Sequence, residues 1–172
     1  MRTLAPLLLF ALAVPSSSRA ADTPSPVEWQ TLEAALVLAG FVIAKLPIEL
    51  ASDAPNGASP GVEGWTVYGA DGQGERIFVF SESEIFRCAS RPVKNTETHQ
   101  CLLRLASVIV HEAWHFRNGL QETGAYTAQI QFLMANHASD AHIAAVQMAR
   151  DRVLAAIRKA AKAARASLDW PG

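Results

Sequence analysis

The chain of 172 residues is short of several things, and each shortage closes a route. Neither charge is in excess: 15 Lys and Arg stand against 16 Asp and Glu, a net charge of −1. A nucleic-acid partner would find no electrostatic footprint. No apolar run reaches the roughly 20 residues that cross a bilayer. Only two cysteines are present, Cys88 and Cys101, and they form no C-x-x-C pair. That spacing speaks against a cysteine-built metal site. No internal repeat is visible, so a solenoid is excluded.

What is there begins with an export pattern. Arg2 supplies a positive start, Leu4 to Val14 an apolar stretch interrupted by Pro6, and Ser18 and Ala20 the small residues of a cleavage site. Residues 1–20 therefore read as a signal peptide cleaved after Ala20. The apolar stretch is about half of a membrane span, and no cysteine at the cleavage site suggests lipid attachment. Removing 20 residues leaves 152, with a net charge of −3 because Arg2 and Arg19 are lost. That length implies one domain, 21–172. The expected location is periplasmic or secreted. There, Cys88 and Cys101 are expected to form a disulfide. It would close a loop of about 14 residues and contribute roughly 3 kcal/mol in a loop-entropy model.

The hydrophobic half of the composition, rich in alanine, suits a helical domain. A helix is expected over 27–45, capped by Ser25 with Pro26 in its first turn and stopped by Pro47. Trp65 to Tyr68 and Arg76 to Phe80 read as two strands around the turn Asp71-Gly72-Gln73-Gly74, a β-hairpin. Turn signals Pro55-Asn56-Gly57 and Pro60-Gly61 precede it. Ser81 to Gln100 reads as loop, with a helical turn near Glu84 to Cys88. Further helices are expected over 101–116, from Leu120 or Gln121 to Asn136, and from a Ser139-Asp140 cap to Leu168. The cations of the last helix read as a solvated face. The expected fold is α+β: helix-dominated, with a small antiparallel hairpin before the helix over 101–116.

The chemistry is concentrated in His111-Glu112-Ala113-Trp114-His115, an H-E-x-x-H motif after an apolar run. Residues four apart share a helix face, so His111 and His115 can ligate one metal ion. Glu112 is turned by roughly 100° and flanks the metal without ligating it. A carboxylate there can take a proton from a water on the metal. A third ligand is needed. Glu122 offers one, seven residues after His115 and beyond Gly119, whose tolerance of left-handed backbone allows the chain to reverse. His137 and His142 remain open as substitutes. Glu122 could also be an ordinary acid in a first helical turn.

Ala125, Tyr126 and Gln129 follow Glu122 on the same face. Tyr126 could hydrogen-bond a developing oxyanion or a ligating carboxylate, or simply pack in the core. Gln129 could orient a ligand by hydrogen bonding, or lie on the surface. His99 could approach the cleft as an oxyanion donor, although loop histidines are usually exposed. Asp140 and Asp151 read as cap and surface charges.

This pattern, His111-Glu112-x-x-His115 followed by Glu122-x-x-Ala125-Tyr126, resembles the zincin metallopeptidases, in a minimal gluzincin-like form. The resemblance implies a Zn²⁺ cofactor held by His111, His115 and Glu122. It implies hydrolysis of a peptide or protein substrate with Glu112 as general base and Tyr126 as a supporting catalytic group. It also implies a small sheet whose edge strand, here Arg76 to Phe80, binds an extended peptide. The short chain leaves little room for a second subdomain, which points to narrow substrate range or self-processing. Two alternatives stand beside it: a non-catalytic protein whose zinc only staples two helices, and no metal at all.

Overall fold

The computed structural model describes residues 23–41, 46–54, 61–93 and 95–168, with side chains up to Arg165. The export pattern and the turn Pro55-Asn56-Gly57 lie outside the described residues. Five helices and three strands occur among those described, in the order α1 (Pro26–Leu38), β1 (Ile48–Ala51), β2 (Gly64–Tyr68), β3 (Gly74–Phe80), α2 (Glu84–Ala89), α3 (Thr96–Asn118), α4 (Glu122–Ala135) and α5 (Asp140–Leu168). The α+β expectation holds.

The first helix starts where its residues dictate. The Ser25 hydroxyl accepts from the Glu28 amide, and the Glu28 carboxylate accepts from the Ser25 amide. This reciprocal pair satisfies two donors that a helix start leaves open. The helix ends at Leu38, well before the expected Lys45. Gly40 takes a φ of 76°, and the Gly40 and Phe41 amides turn back to the carbonyls of Val37 and Leu36. That hydrogen-bond pattern terminates a helix without any need for Pro47.

The hairpin forms as expected, with β2 antiparallel to β3. A third strand was not expected: β1 pairs parallel with β3, Ile48 opposite Ile77. The sheet is therefore mixed, in the order β1-β3-β2. Four residues after a proline carry too little alternation to reveal such a strand. This corrects the role given to Arg76–Phe80. It lies in the central strand, with Ile77 and Val79 fully buried, and its backbone groups face both neighbours. Among the described strands, the free edges belong to β1 and β2.

The sheet and α1 pack on α3 around Leu32, Leu36, Ile77, Val79, Leu105 and Ile109. Burying side chains of this kind stabilises by about 1.5–3 kcal/mol each. The expected disulfide is present: Cys88 of α2 is bonded to Cys101 of α3, with Cα atoms 5.8 Å apart. The helix α3 begins five residues earlier than expected, because Asn95 caps it through the Thr98 amide and Thr98 returns the bond. On the opposite side α4 runs antiparallel to α3. Gln129 meets Ser107, and Ser139, just beyond α4, meets Gln100. The start of α5 closes a second core through Leu133 and Val146. No helix among the described residues is long and apolar enough to cross a membrane.

Candidate metal centre

Two helices and one turn build the site. α3 carries His111, Glu112 and His115 in its last turns. Gly119, with a φ of 81°, then lets the chain reverse. The Gly119 amide bonds back to the His115 carbonyl at 2.8 Å, and the Gly119 carbonyl accepts from His115 Nδ1 at 2.8 Å. The turn that ends α3 therefore also aims the second histidine. Three residues on, α4 begins at Glu122.

Close approach of the two helices depends on Gly124. A Cβ placed there would overlap the Trp114 indole ring. With no side chain at 124, the first turn of α4 lies against α3 and carries Glu122 to the imidazoles. Glu122 Oε2 is 3.6 Å from His111 Nε2, and Glu122 Oε1 is 3.6 Å from His115 Nε2. The two Nε2 atoms are 3.1 Å apart.

Hydrogen bonds behind the rings set their tautomers. The Ser107 hydroxyl donates to the Arg104 carbonyl at 2.6 Å, so its oxygen is left to accept from Gln129 Nε2 at 3.2 Å. That orients the Gln129 amide with Oε1 towards His111 Nδ1, at 3.1 Å. His111 Nδ1 must then carry a proton, as must His115 Nδ1 opposite the Gly119 carbonyl. These partners assign both Nε2 atoms as lone-pair acceptors pointing at one another. Two acceptors cannot face each other at 3.1 Å without a positive charge between them.

The charges reflect this conflict. Burial and the neighbouring His115 hold His111 well below its usual range, down to about 4. Burial pushes His115 the same way. The hydrogen bond with Glu122, the Gly119 carbonyl and the carboxylates of Glu112 and Glu122 outweigh it and raise His115. Glu122 is lowered, chiefly by its hydrogen bond with His115.

The donor set fits a metal cation. Three ligand atoms, one from each of His111, His115 and Glu122, lie within 4.8 Å of one another. Two ligands about 2.1 Å from a tetrahedral centre would be roughly 3.4 Å apart, close to the 3.1 and 3.6 Å separations here. Two imidazoles, which are borderline donors, and one harder carboxylate oxygen are a donor set that Zn²⁺ accepts. Both rings also have the outer hydrogen bonds that orient ligating histidines.

Glu112 is 8% exposed and lies beside this group without joining it. The Thr66 hydroxyl of β2 is 2.7 Å from Glu112 Oε2 and 3.1 Å from the Glu112 carbonyl oxygen. Burial pushes the Glu112 carboxyl up to about 7, against the opposing pull of Thr66 and His115. The strand can come this close because residue 64 is glycine: a Cβ there would lie 3.0 Å from Glu112 Cγ and 2.9 Å from a Val108 methyl group.

Tyr126 stacks edge-to-face on the His111 ring, with centroids 4.6 Å apart. Its hydroxyl has no hydrogen-bond partner among the described residues. Burial, then the charges of Glu122 and Glu112, push its phenol up to about 12. Tyr68, at the end of β2, is pushed up to about 12 by burial and the same two carboxylates. Reading the sequence missed both Thr66 and Tyr68. A threonine and a tyrosine in a strand carry no signal of what the strand faces.

The competing histidines lie elsewhere. His99 is exposed in the first turn of α3, roughly 18 Å along the helix from His111. His137 and His142 follow the far end of α4, which the antiparallel packing sets beside Gln100. His142 lines a cleft of about 490 Å³ with Glu63, Arg91, Glu97 and Arg104. A second cleft, of about 300 Å³, is lined by Asp53, Phe80, Glu82 and Glu84. Neither includes a member of the His111–His115–Glu122 group.

No protein-family model matches the chain, and no curated protein or solved structure does either.

Proposed function

We propose that this protein is an exported zinc-dependent hydrolase, most simply a metallopeptidase of zincin type. One observation carries the reading: two imidazole lone pairs and the Glu122 carboxylate converge on one point, with the buried Glu112 carboxyl beside it. His111, His115 and Glu122 would hold Zn²⁺. Bound there, the ion would polarise a substrate carbonyl and make an attacking water more acidic.

The chain's own residues account for the rest. Glu112 takes the proton from the attacking water and returns it to the leaving amine. Burial favours the protonated carboxyl, which helps Glu112 to hold the proton between the two transfers. Thr66 holds the carboxylate in position and gives up only part of its basicity in doing so. Gln129 and Gly119 keep both imidazoles in the ligating tautomer. Tyr126, with a free hydroxyl and a phenol that stays protonated, can donate to an oxyanion. The free edge of β2, which meets Glu112 through Thr66, can pair with an extended peptide substrate. Residues 1–20 support export, as does the disulfide, which suits an oxidising compartment.

A second reading has one observation in its favour. Both clefts lie away from the His111–His115–Glu122 group, as they would if zinc only stapled α3 to α4. The Glu112→Gln variant separates the two. Purified without a histidine tag, it should retain one zinc per chain and lose peptide hydrolysis at least a thousandfold. Unchanged hydrolysis would sink the mechanism. Hydrolysis absent from both proteins, with zinc retained, would favour the staple. Zinc content near zero in the unaltered protein would remove both readings.

A further inference from the structure

The charge of this chain is unevenly spread. α5 carries six cations and two acids, a net +4, within a chain of net −1; everything else therefore sums to −5. The separation continues inside α5. Its two acids, Asp140 and Asp151, lie in the first half, and Arg150 pairs with Asp151 at 2.9 Å. From Arg152 onwards the helix has cations and no acid. No carboxylate among the described residues is within ion-pair distance of Arg158, Lys159, Lys162 or Arg165.

The two halves are also packed differently. Val146 is buried against α4, whereas every residue from Ala155 to Arg165 is exposed. Ile157 is 48% exposed. Stepping about 100° per residue places Val153, Leu154, Ile157, Ala160 and Ala161 in one sector of roughly 120°. The same steps place Arg165, Arg158, Lys162 and Lys159 in the adjoining sector. The apolar stripe that seats the first half of α5 on the body thus continues along the second half, where cations flank it.

We propose that the distal half of α5 is a peripheral anchor that lies on an anionic lipid surface. A cationic amphipathic helix adsorbs with its apolar stripe at the headgroup boundary and its cations on the lipid phosphates. The stripe is narrow and largely alanine, so charge dominates the attraction. Parallel pairing with α5 of a second copy would set these cations against one another, with both acids of α5 in its first half. A membrane of anionic lipids supplies both the charge and the apolar boundary. Crossing it is excluded, because α5 is too charged to span.

The test uses the full chain and vesicles of phosphatidylcholine, with or without half phosphatidylglycerol. Co-sedimentation should occur with the anionic vesicles and not with the neutral ones, and should be lost in 0.5 M NaCl. The Lys159→Glu/Lys162→Glu/Arg165→Glu variant should lower vesicle binding at least tenfold with an unchanged melting temperature, because these side chains are exposed. Glu122→Ala should bind vesicles as the unaltered chain does, so the metal reading can fail without the anchor failing, and the charge-reversed variant should keep its zinc, so the anchor can fail without the metal reading failing. Absence of binding to anionic vesicles, equal binding to neutral ones, or full binding by the charge-reversed variant would overturn the proposal. So would a concentration-dependent dimer that the charge reversal abolishes and anionic vesicles do not compete away.

Discussion

Two polar sites lie on α3, about two turns apart, and both contain histidine, glutamate and buried hydrogen-bonding groups. At Arg104 the groups are opposite in sign. Its guanidinium meets Glu63 at 2.9 Å, and the pair neutralises itself. The surrounding cleft has a volume of about 490 Å³, and two buried polar atoms beside it, Arg104 Nε and His142 Nδ1, have no partner among the described residues. At His111 and His115 the groups are alike. Two lone pairs and a carboxylate point inward, and every outward-facing ring nitrogen is bonded. In the first arrangement the opposite charges of Arg104 and Glu63 offset each other. In the second, two imidazole nitrogens and a carboxylate converge on one point. The two clefts and the convergence of like groups thus lie at different places on the molecule.

The sharpest break of that comparison is ligand removal. Glu122→Ala should lower zinc affinity at least a hundredfold, measured by competition with a chelating indicator, because a two-histidine site lacks a ligand. His142→Ala should leave affinity within a factor of two. Equal losses would mean that Glu122 holds the ion no more than His142 does.

Gln129→Leu comes next. It removes the acceptor that keeps His111 in its ligating tautomer, and loss of such an outer bond typically costs 10–100-fold in metal affinity. Isotope-edited NMR of the imidazole nitrogens should show His111 sampling both tautomers. A single unchanged tautomer would remove Gln129 from the site.

Acidity should weaken metal binding about tenfold per pH unit below the raised range of His115. The sign follows from the shifts. His115 binds its proton more tightly than usual, so that proton must leave before the metal enters. His111, lowered to about 4, and Glu122, also lowered, are already deprotonated there. The slope should therefore be one proton down to about pH 5. A slope of two would show that both imidazoles are charged.

The smallest effect is expected at the other region. Arg104→Met breaks the part-buried pair with Glu63 and leaves a buried carboxylate. It should destabilise by about 1–3 kcal/mol in urea titrations and leave zinc affinity unchanged, since only the Arg104 carbonyl supports Ser107.

Much of this molecule was legible before its structure. H-E-x-x-H on a helix, Glu122 after a glycine turn, the Cys88–Cys101 bond, the hairpin and the α5 cap are local patterns of spacing and turn chemistry. β1 was not legible, because four residues with no clear alternation become a strand only when β3 offers hydrogen bonds. For the same reason the place of β3 at the centre of the sheet was not legible: edge and centre differ in neighbours, not in sequence. The end of α1 is encoded by Gly40, whose φ of 76° turns the chain, whereas Pro47, the stronger stop signal in the sequence, lies well beyond it.

The sequence by itself determined which groups could ligate, since residue type sets donor chemistry and four-residue spacing on a helix sets a shared face. It left Glu122, His137 and His142 as rivals for the third position. Only the tertiary structure shows which of them lies beside His111 and His115: Glu122 does. α4 folds back antiparallel with Gly124 against Trp114, which brings its first residue to the imidazoles and carries the histidines beyond its last turn to the far end. The polarisation of Glu112 was decided in the same way. Burial under β2 raises its carboxyl, and burial is a property of what packs above a residue, which no single segment contains.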